Sequence, residues 1–293
     1  MSIKSGKIIS LIGGNYYTKV ENKIIKARAR GLFRHQDIKP VVGDEVKIEI
    51  LDHDEGYILQ ILERKNLLAR PAIANIDQAL ILSSFMQPEY SYNLLDKFLA
   101  IIEFYNIEPI IVVSKIDLAD SIEQVKQAYI DYEKSGYQVV YTSIYNDQST
   151  NLLKDLLKDK VNVLVGQSGS GKSSLLNSID KDFNIKTNEI SKALGRGKHT
   201  TRHVEIYETN IGYIADSPGF SSLNLDMLDA NQLAISYHDF YQASKQCKFS
   251  NCLHFHEPSC HVKYLVQQKE IPQSRYDNYL LFLDEIKQRK VKY

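Results

Sequence analysis

The sequence predicts a multidomain protein: an N-terminal β-barrel, a central α/β domain and a C-terminal α-helical domain around clustered cysteines. Three observations support this prediction. Short strand-like segments separated by turns fill residues 1–68, strands and helices alternate over 69–222, and the three cysteines lie between Cys247 and Cys260, within the last region, 223–293. A chain of 293 residues is long enough for several hydrophobic cores.

Alternating side chains mark the strands of the first region. Residues 7–12 precede a Gly13–Gly14 turn, 23–30 alternate basic with small or apolar side chains, and 46–50 follow a turn at Gly43. Several short strands without a convincing helix predict a small barrel, and we favour an oligonucleotide-binding (OB) barrel. An SH3-like barrel has the same periodicity and is the alternative.

The same region is locally basic, although the formal net charge of the chain is +0. Arg28 and Arg30 lie within a run of lysine and arginine side chains between Lys19 and Lys39. Local positive charge can bind a nucleic-acid backbone, so Arg28 and Arg30 are candidate RNA contacts. The alternative is a solvated face whose charge is balanced by acidic surface elsewhere.

No segment predicts a membrane or secretory location. The polar start, residues 1–7, does not resemble a signal peptide, and no apolar run approaches the roughly 20 residues of a membrane helix. An odd number of cysteines does not suit a disulfide framework. We therefore expect a cytoplasmic protein without a membrane partner.

A phosphate-binding loop follows the apolar strand predicted at 161–165. Gly166-x4-Gly171-Lys172-Ser173 stands between this strand and a helical segment, which is the setting that the motif requires. Lys172 would span the β- and γ-phosphates, as a catalytic contact, and Ser173 would ligate Mg²⁺. The predicted loop contacts are Gly166, Gln167, Ser168, Gly169, Ser170, Gly171, Lys172, Ser173 and Ser174.

A base-recognition sequence lies upstream, after the strand predicted at 109–113. The Asp117 carboxylate can accept both hydrogens from guanine N1 and its exocyclic amine, a pattern that adenine lacks. Lys115 would lie over the base, and Ser114 replaces the usual asparagine, which shortens or removes one base contact. The predicted base-site residues are Ser114, Lys115, Ile116 and Asp117, with Thr142 and Ser143 after the strand at 139–141 as a supporting loop.

The sequence Asp216-Ser217-Pro218-Gly219 has the pattern of a second switch. Asp216, at the end of a predicted strand, can reach the Mg²⁺ shell, and Gly219 lets the backbone swing toward a γ-phosphate. The base loop, 114–117, comes before the phosphate loop, 166–173, which is not the order of an ordinary GTPase. A parallel sheet whose ends lie close together can be cut and rejoined, so the sequence predicts a circularly permuted P-loop GTPase that binds GTP and GDP.

The cysteines predict a metal site. Cys247-x4-Cys252-x-His254-x5-Cys260 supplies three thiolates and one imidazole, a closed tetrahedral set for one structural Zn²⁺. A closed set leaves no open position for catalysis. His256 and His261 lie nearby and are alternatives to His254.

Taken together, these motifs closely resemble the circularly permuted ribosome small-subunit-dependent GTPase A (RsgA-like) family. The resemblance covers essentially the whole chain, including 70–78, RPAIANIDQ. It implies an OB barrel, a GTPase core and a zinc domain, and its ligand spacing favours His254. It also implies GTP hydrolysis to GDP and phosphate, stimulated by the small ribosomal subunit and its rRNA during late maturation. We expect a monomer, and the resemblance extends the possible ligands to guanosine tetraphosphate.

The resemblance also assigns a first switch, at 194–203. Thr200 or Thr201 would supply the hydroxyl that contacts Mg²⁺, and the two remain alternatives. Phe220 stands where many GTPases place a glutamine that orients the attacking water, and a phenyl ring cannot do this. His199 is therefore the candidate catalytic substitute, positioned when the ribosome orders the switch.

Two other functions fit parts of the sequence. One is an RNA-binding scaffold whose nucleotide site only holds it in shape, and the other is an ATP-dependent kinase. Lys172, Ser173 and Asp216 favour the hydrolase over the scaffold, and Asp117 disfavours ATP.

Overall fold

The computed structural model describes residues 2–31, 33, 38–69, 71–180, 204–216 and 225–289. The chain forms two compact units, and it passes between them several times. The first unit contains residues 1–78, 154–164 and 176–220, and the second contains residues 79–153, 165–175 and 221–293.

Strands and helices occur in both units. The strands are β1 (Ser2–Ile12), β2 (Asn15–Val20), β3 (Lys23–Ala29), β4 (Glu45–Ile50), β5 (Glu55–Ile61), β6 (Leu67–Ala69), β7 (Ala72–Ala74), β8 (Gln78–Ser84), β9 (Glu108–Ser114), β10 (Gln138–Tyr141), β11 (Val161–Gly166), β12 (Glu205–Glu208) and β13 (Tyr213–Asp216). The helices are α1 (Tyr92–Phe104), α2 (Ile122–Lys134), α3 (Asp147–Leu157), α4 (Lys172–Ile179), α5 (Ala230–Ile235), α6 (His238–Ser244), α7 (His261–Gln267) and α8 (Gln273–Gln288).

Strands β1 to β5 close into a barrel in the first unit. β1 is antiparallel to β2 and β4, β2 pairs with β3, and β5 joins β3, in parallel, to β4. This closed order is that of an OB barrel, as predicted, and it leaves no strand of the barrel without a neighbour on both sides. Alternate side chains point inward, so the barrel core contains Ile8, Ile25, Val46, Ile48 and Ile58, all at most 1% exposed.

The first unit also contains the strand that leads to the phosphate loop. β11 is parallel to β13, and β13 is antiparallel to β12, whose Glu205 pairs with Ser10 of β1. β12 has no counterpart in the sequence prediction. Asn162 of β11 is fully buried, and its side-chain amide donates to the carbonyls of Leu157, Lys160 and Tyr213. These bonds hold the start of β11 in place, because a buried amide is costly to leave unpaired.

In the second unit, β8, β9 and β10 lie side by side, with β9 and β10 parallel. Residues 110–113 of β9 are at most 1% exposed, which agrees with the apolar run in the sequence. Helices α1 and α2 begin at serine N-caps: the Ser91 and Ser121 hydroxyls accept hydrogen bonds from the amides of Leu94 and Gln124. No described helix is long and apolar enough to cross a bilayer.

The C-terminal helices belong to the same unit as α1. Arg275 of α8 is 1% exposed, and its guanidinium donates to Asp96 of α1, Asp239 of α6 and the hydroxyl of Tyr137. Asn278, one turn later, donates to the second oxygen of Asp96 at 2.7 Å. Each charge of this cluster has a partner, so α8 is bound to α1 by polar as well as apolar contacts.

Candidate nucleotide site and metal centre

The phosphate loop joins β11 to α4, as predicted, and its glycines are required by its shape. A Cβ on Gly166 would lie 2.4 Å from the carbonyl oxygen of Leu82, so no larger side chain fits there. Gly169 and Gly171 have φ angles of +82° and +93°, which other residues rarely adopt. Close packing and positive φ angles thus require glycine at these three positions, and these glycines are part of the pattern from which the sequence predicted the loop.

Lys172 points back into its own loop. Its ammonium group donates to the carbonyls of Gly166 at 2.7 Å and Gln167 at 2.8 Å, and burial lowers its pKa. A phosphate oxygen at this position would replace these carbonyls with a charged acceptor, which forms a stronger hydrogen bond. Ser173 and Ser174 are exposed on the first turn of α4, where backbone amides and the helix dipole favour an anion.

A cavity of about 240 Å³ lies between the base-recognition sequence and the phosphate loop. It brings Asp117, Lys115 and Ser114 together with Gly171 and Ser174. The binding of guanine by these residues stays a prediction. The sequence did not predict five other residues that line the cavity, namely Gln87, Leu118, Ile144, Tyr145 and Leu175. Tyr145 is 82% exposed and lies two residues after the predicted Thr142–Ser143 pair. Its closeness to that pair in the chain was the one sequence feature that could have indicated a residue of the cavity.

Ser114 has a role that its sequence position did not reveal. Its hydroxyl is buried and donates to the backbone carbonyl of Ser170 in the phosphate loop at 2.7 Å. The short side chain that replaces asparagine thus joins the base loop directly to the phosphate loop. A serine fits at this position because its hydroxyl has a hydrogen-bond partner in the backbone of the phosphate loop.

Lys115 joins the same two loops and a third. Its ammonium group donates to the carbonyl of Gly169 at 2.9 Å and to the carbonyl of Gln87. Its backbone is in the left-handed region, with φ of +59°, which ends β9 in a sharp turn. A non-glycine residue held in this conformation is characteristic of functional sites.

The supporting loop after β10 is braced from within. The Thr142 amide donates to the carbonyl of Val113 at 2.8 Å, and the Ile116 amide reaches the carbonyl of Thr142 at 3.4 Å. Thr142 lines the cavity. Ser143 is buried, and its hydroxyl accepts a hydrogen bond from the Tyr145 amide at 3.2 Å. Ile116 and Ser143 thus shape the cavity without lining it.

The predicted metal ligands converge in the C-terminal region. Potential ligand atoms of Cys247, Cys252, His254 and Cys260 all lie within 4.8 Å of one another. The Nδ1 atom of His254 is 3.4 Å from the sulfur of Cys260 and 3.9 Å from that of Cys247. A set of three sulfurs and one nitrogen this close together fits a tetrahedral Zn²⁺ ion.

The loop around these ligands selects His254 over its neighbours. His254 is 1% exposed, and burial lowers its pKa to about 4, so its imidazole is neutral at pH 7, as a metal ligand must be. His256 is exposed with its ring against Phe255, and the ring of His261 stacks on Tyr264. Neither alternative belongs to the ligand cluster.

Comparison with known proteins agrees with this geometry. The family model described as RsgA GTPase matches residues 61–226, and that of the RsgA N-terminal domain matches residues 5–58. The chain is 47% identical over 290 residues to the small ribosomal subunit biogenesis GTPase RsgA of Geobacillus sp. (strain WCH70), covering 98% of this chain and 99% of that protein.

The chain belongs to the RsgA GTPase family. It is 45% identical to the RsgA protein of Staphylococcus epidermidis (strain ATCC 12228 / FDA PCI 1200), over 99% of this chain and 100% of the relative. Two solved structures share its fold with TM-scores of 0.83. YloQ, described as a circularly permuted GTPase, is 40% identical, and the match covers 100% of this chain and 98% of YloQ. YjeQ from Thermotoga maritima is 33% identical, and the match covers 99% of this chain and 100% of YjeQ. The prediction of a circularly permuted GTPase is confirmed.

Several predicted catalytic and switch residues of this RsgA-family GTPase lie outside the described residues. They are His199, Thr200, Thr201 and Gly219. The backbone of Asp216 ends β13, opposite Glu205 of β12, and its side chain also lies outside the description. The assignments of these residues therefore stay predictions.

The predicted RNA contacts lie on the barrel of the RsgA-family chain. Arg28 is exposed, with its Nε 3.4 Å from the side-chain oxygen of Asn15. Arg30 forms an ion pair with Glu49 at 2.6 Å. Both arginines line a cavity of about 310 Å³, together with Tyr16. The positive charge of Arg30 is thus offset by a carboxylate, whereas Arg28 has a neutral amide beside it.

Proposed function

We propose that this GTPase acts on the small ribosomal subunit in late maturation and hydrolyses GTP when the subunit stimulates it. The observation that supports the proposal most directly is the cavity that joins Asp117 and Lys115 to the phosphate loop. The resemblance to proteins named for small-subunit biogenesis supports the identity of the partner. In this proposal the barrel contacts rRNA through Arg28 and Arg30.

In the proposed mechanism, the residues of the chain bind and orient the nucleotide. Asp117 accepts the guanine N–H groups, Lys115 covers the base, and the backbone amides of 166–171 surround the β-phosphate. Lys172 leaves the loop carbonyls for the β- and γ-phosphates, where its charge stabilises the transition state. Ser173 and Asp216 would hold Mg²⁺, which neutralises the negative charge that develops on the transferred phosphoryl group.

His199 is the residue that we propose orients the attacking water. The sequence places phenylalanine, Phe220, where a glutamine would serve many GTPases, so another polar side chain is needed. In this proposal the small subunit positions His199 by ordering the first switch, and either Thr200 or Thr201 completes the Mg²⁺ shell. Hydrolysis by the free protein is then slow.

GTP turnover with and without purified small subunits tests this proposal. We expect subunits to stimulate turnover, and His199→Ala to retain GTP binding while losing most of the stimulated rate. Lys172→Ala, which removes the phosphate contact, serves as the control without tight nucleotide binding. If subunits leave turnover unchanged, the activation mechanism is wrong, and tighter binding of ATP than GTP would support a kinase instead.

Three finer assignments belong to the same proposal. The cluster of Cys247, Cys252, His254 and Cys260 would hold one structural zinc ion, which fixes the loop between α6 and α7. Guanosine tetraphosphate would compete with GTP, because its guanine and diphosphate fit the same loops. The protein would act as a cytoplasmic monomer, which sedimentation analysis would test.

A further inference from the structure

A short turn after β8 contributes to the lining of the cavity that contains Asp117. It runs from Ser84 to Pro88, and Gln87 lines the cavity. Pro88 also packs near the phosphate loop, since its Cδ lies 3.7 Å from the position of a Cβ on Gly169. None of the motifs in the sequence includes this turn.

The turn is held by one buried side chain. Ser84 is 3% exposed at the end of β8, and its hydroxyl accepts a hydrogen bond from the Gln87 amide at 3.1 Å. This bond closes the turn that carries the carbonyl of Gln87. That carbonyl accepts a hydrogen bond from the ammonium group of Lys115.

Lys115 is thus held between two backbone carbonyls from different parts of the chain. One belongs to Gln87 in the turn and the other to Gly169 in the phosphate loop. A lysine side chain is flexible, and each acceptor that it loses leaves its stem free to move off the base plane. The position of Lys115 therefore depends on whether the turn presents its carbonyl.

We propose that Ser84 is a positioning residue for guanine-nucleotide binding, acting through the Gln87 carbonyl on Lys115. Ser84 does not touch the nucleotide itself. Its hydroxyl fixes the turn, the turn fixes the lysine, and the lysine covers the base and braces the phosphate loop. The inference rests on the guanine site proposed above, and it adds a residue outside every GTPase motif in the sequence.

Equilibrium titration with fluorescent GDP tests the inference on four proteins: wild type, Ser84→Ala, Lys115→Met and the double variant. We expect Ser84→Ala to weaken GDP binding by about three- to ten-fold, the effect of one hydrogen bond. In the Lys115→Met background the same change should add little, because the group on which Ser84 acts is gone. A purely structural loss would weaken binding equally in both backgrounds.

Ser83→Ala is the matched control. Ser83 is the preceding residue of β8, and its hydroxyl contacts the Tyr129 hydroxyl at 2.7 Å. We expect this variant to lose a comparable hydrogen bond and to keep the GDP affinity of the wild type. If Ser84→Ala does not fold, Ser84→Cys, which retains the size but accepts hydrogen bonds weakly, takes its place in the cycle.

Four outcomes separate this inference from the function on which it rests. Unchanged GDP affinity in the folded Ser84 variant would overturn the inference, and so would additive effects of the Ser84 and Lys115 changes. Unchanged affinity in Lys115→Met and in Asp117→Ala would instead reject the guanine site itself. Coupled losses, with Ser83→Ala unaffected, would support both.

Discussion

His254 combines three features that together predict its role at the scale of a single residue. It is 1% exposed, its Nδ1 lies 3.4 Å from the Cys260 sulfur, and its φ of +57° is unusual for a residue with a side chain. The hydroxyl of Tyr276 also donates to its carbonyl at 2.7 Å. A left-handed backbone inside a cysteine cluster indicates that the chain is bent there to direct the ring.

We predict that His254→Asn lowers the zinc content of the purified protein and its melting temperature. Asparagine tolerates the left-handed backbone, so the change tests the ligand rather than the conformation. A structural zinc can contribute on the order of 10 kcal/mol of apparent folding free energy, so weakening the site should be plainly visible. Metal analysis and thermal unfolding measure the two effects.

The matched control is His256→Asn, in the same loop. His256 is exposed and lies outside the ligand cluster, so its replacement should leave zinc content and melting temperature unchanged. Full zinc content in His254→Asn would show that the ligand set is wrong. Loss of zinc from His256→Asn instead would mean that the two histidines exchange roles.

Some residue roles were readable from the sequence and others were not. The glycines of the phosphate loop were predictable, because a backbone that only glycine adopts leaves glycine in the sequence. The contact of Ser114 with Ser170 was not, because it joins residues far apart in the chain. Gln87 and Ser84 were missed for the same reason: the turn acts through backbone groups, which every residue type carries.

At the scale of elements, α8 is attached to α1 through a buried arginine. The sequence did not predict this role of Arg275, because its partners lie far away in the chain, on α1, on α6 and at Tyr137 just before β10. Buried apolar runs were predicted well, as β9 and β11 show. The short β12 was not, because four residues give too little periodicity and its Glu205 is a polar residue at a buried position.

We predict that Arg275→Met destabilises the protein by about 3–5 kcal/mol at neutral pH, since it leaves the Asp96 and Asp239 carboxylates buried without their cation. Burial raises the pKa of Asp96 to about 6 even with Arg275 beside it. Without the arginine that pKa rises further, so at pH 5 the carboxyl is protonated and the penalty shrinks. Chemical denaturation at pH 5 and pH 8 measures the difference.

Lys287→Met, on the exposed face of the same helix, is the control for this prediction. It should change the free energy of unfolding by no more than about 1 kcal/mol, equally at pH 5 and pH 8, because only an exposed cation–π contact with Phe255 is lost. An Arg275→Met penalty that is equally large at pH 5 and pH 8 would contradict the electrostatic explanation and leave only lost packing.

The free energy of unfolding of the wild type should also fall as the pH rises, but less steeply than that of Arg275→Met. The folded-state pKa of Asp96, about 6, lies above its ordinary value of 3.8, so the folded protein binds this proton more tightly than the unfolded chain does. The contribution of Asp96 to stability therefore falls as the pH rises from about 4 to about 6, and it is constant above that range.

At the scale of the whole molecule, chain order and function are connected. The chain builds its base-recognition loop before its phosphate loop, and β13, which ends at Asp216, is followed by the helices around the cysteine cluster. The order of motifs was readable from the sequence because each motif is local. The predicted domain boundaries at 68 and 222 stay predictions.

The OB barrel should contribute the salt-dependent part of binding to the small subunit. We predict that Arg28→Ala lowers the magnitude of the slope of log K against log[salt] by about 1, since one phosphate contact is lost. Arg30→Ala should lower it less, because Glu49 already offsets that charge. Filter binding to purified subunits across a salt series measures the slopes, with the exposed helix residue Lys126→Ala as a charge-matched control. Equal slopes for the wild type and Arg28→Ala would show that Arg28 lies on a solvated face and does not contact RNA.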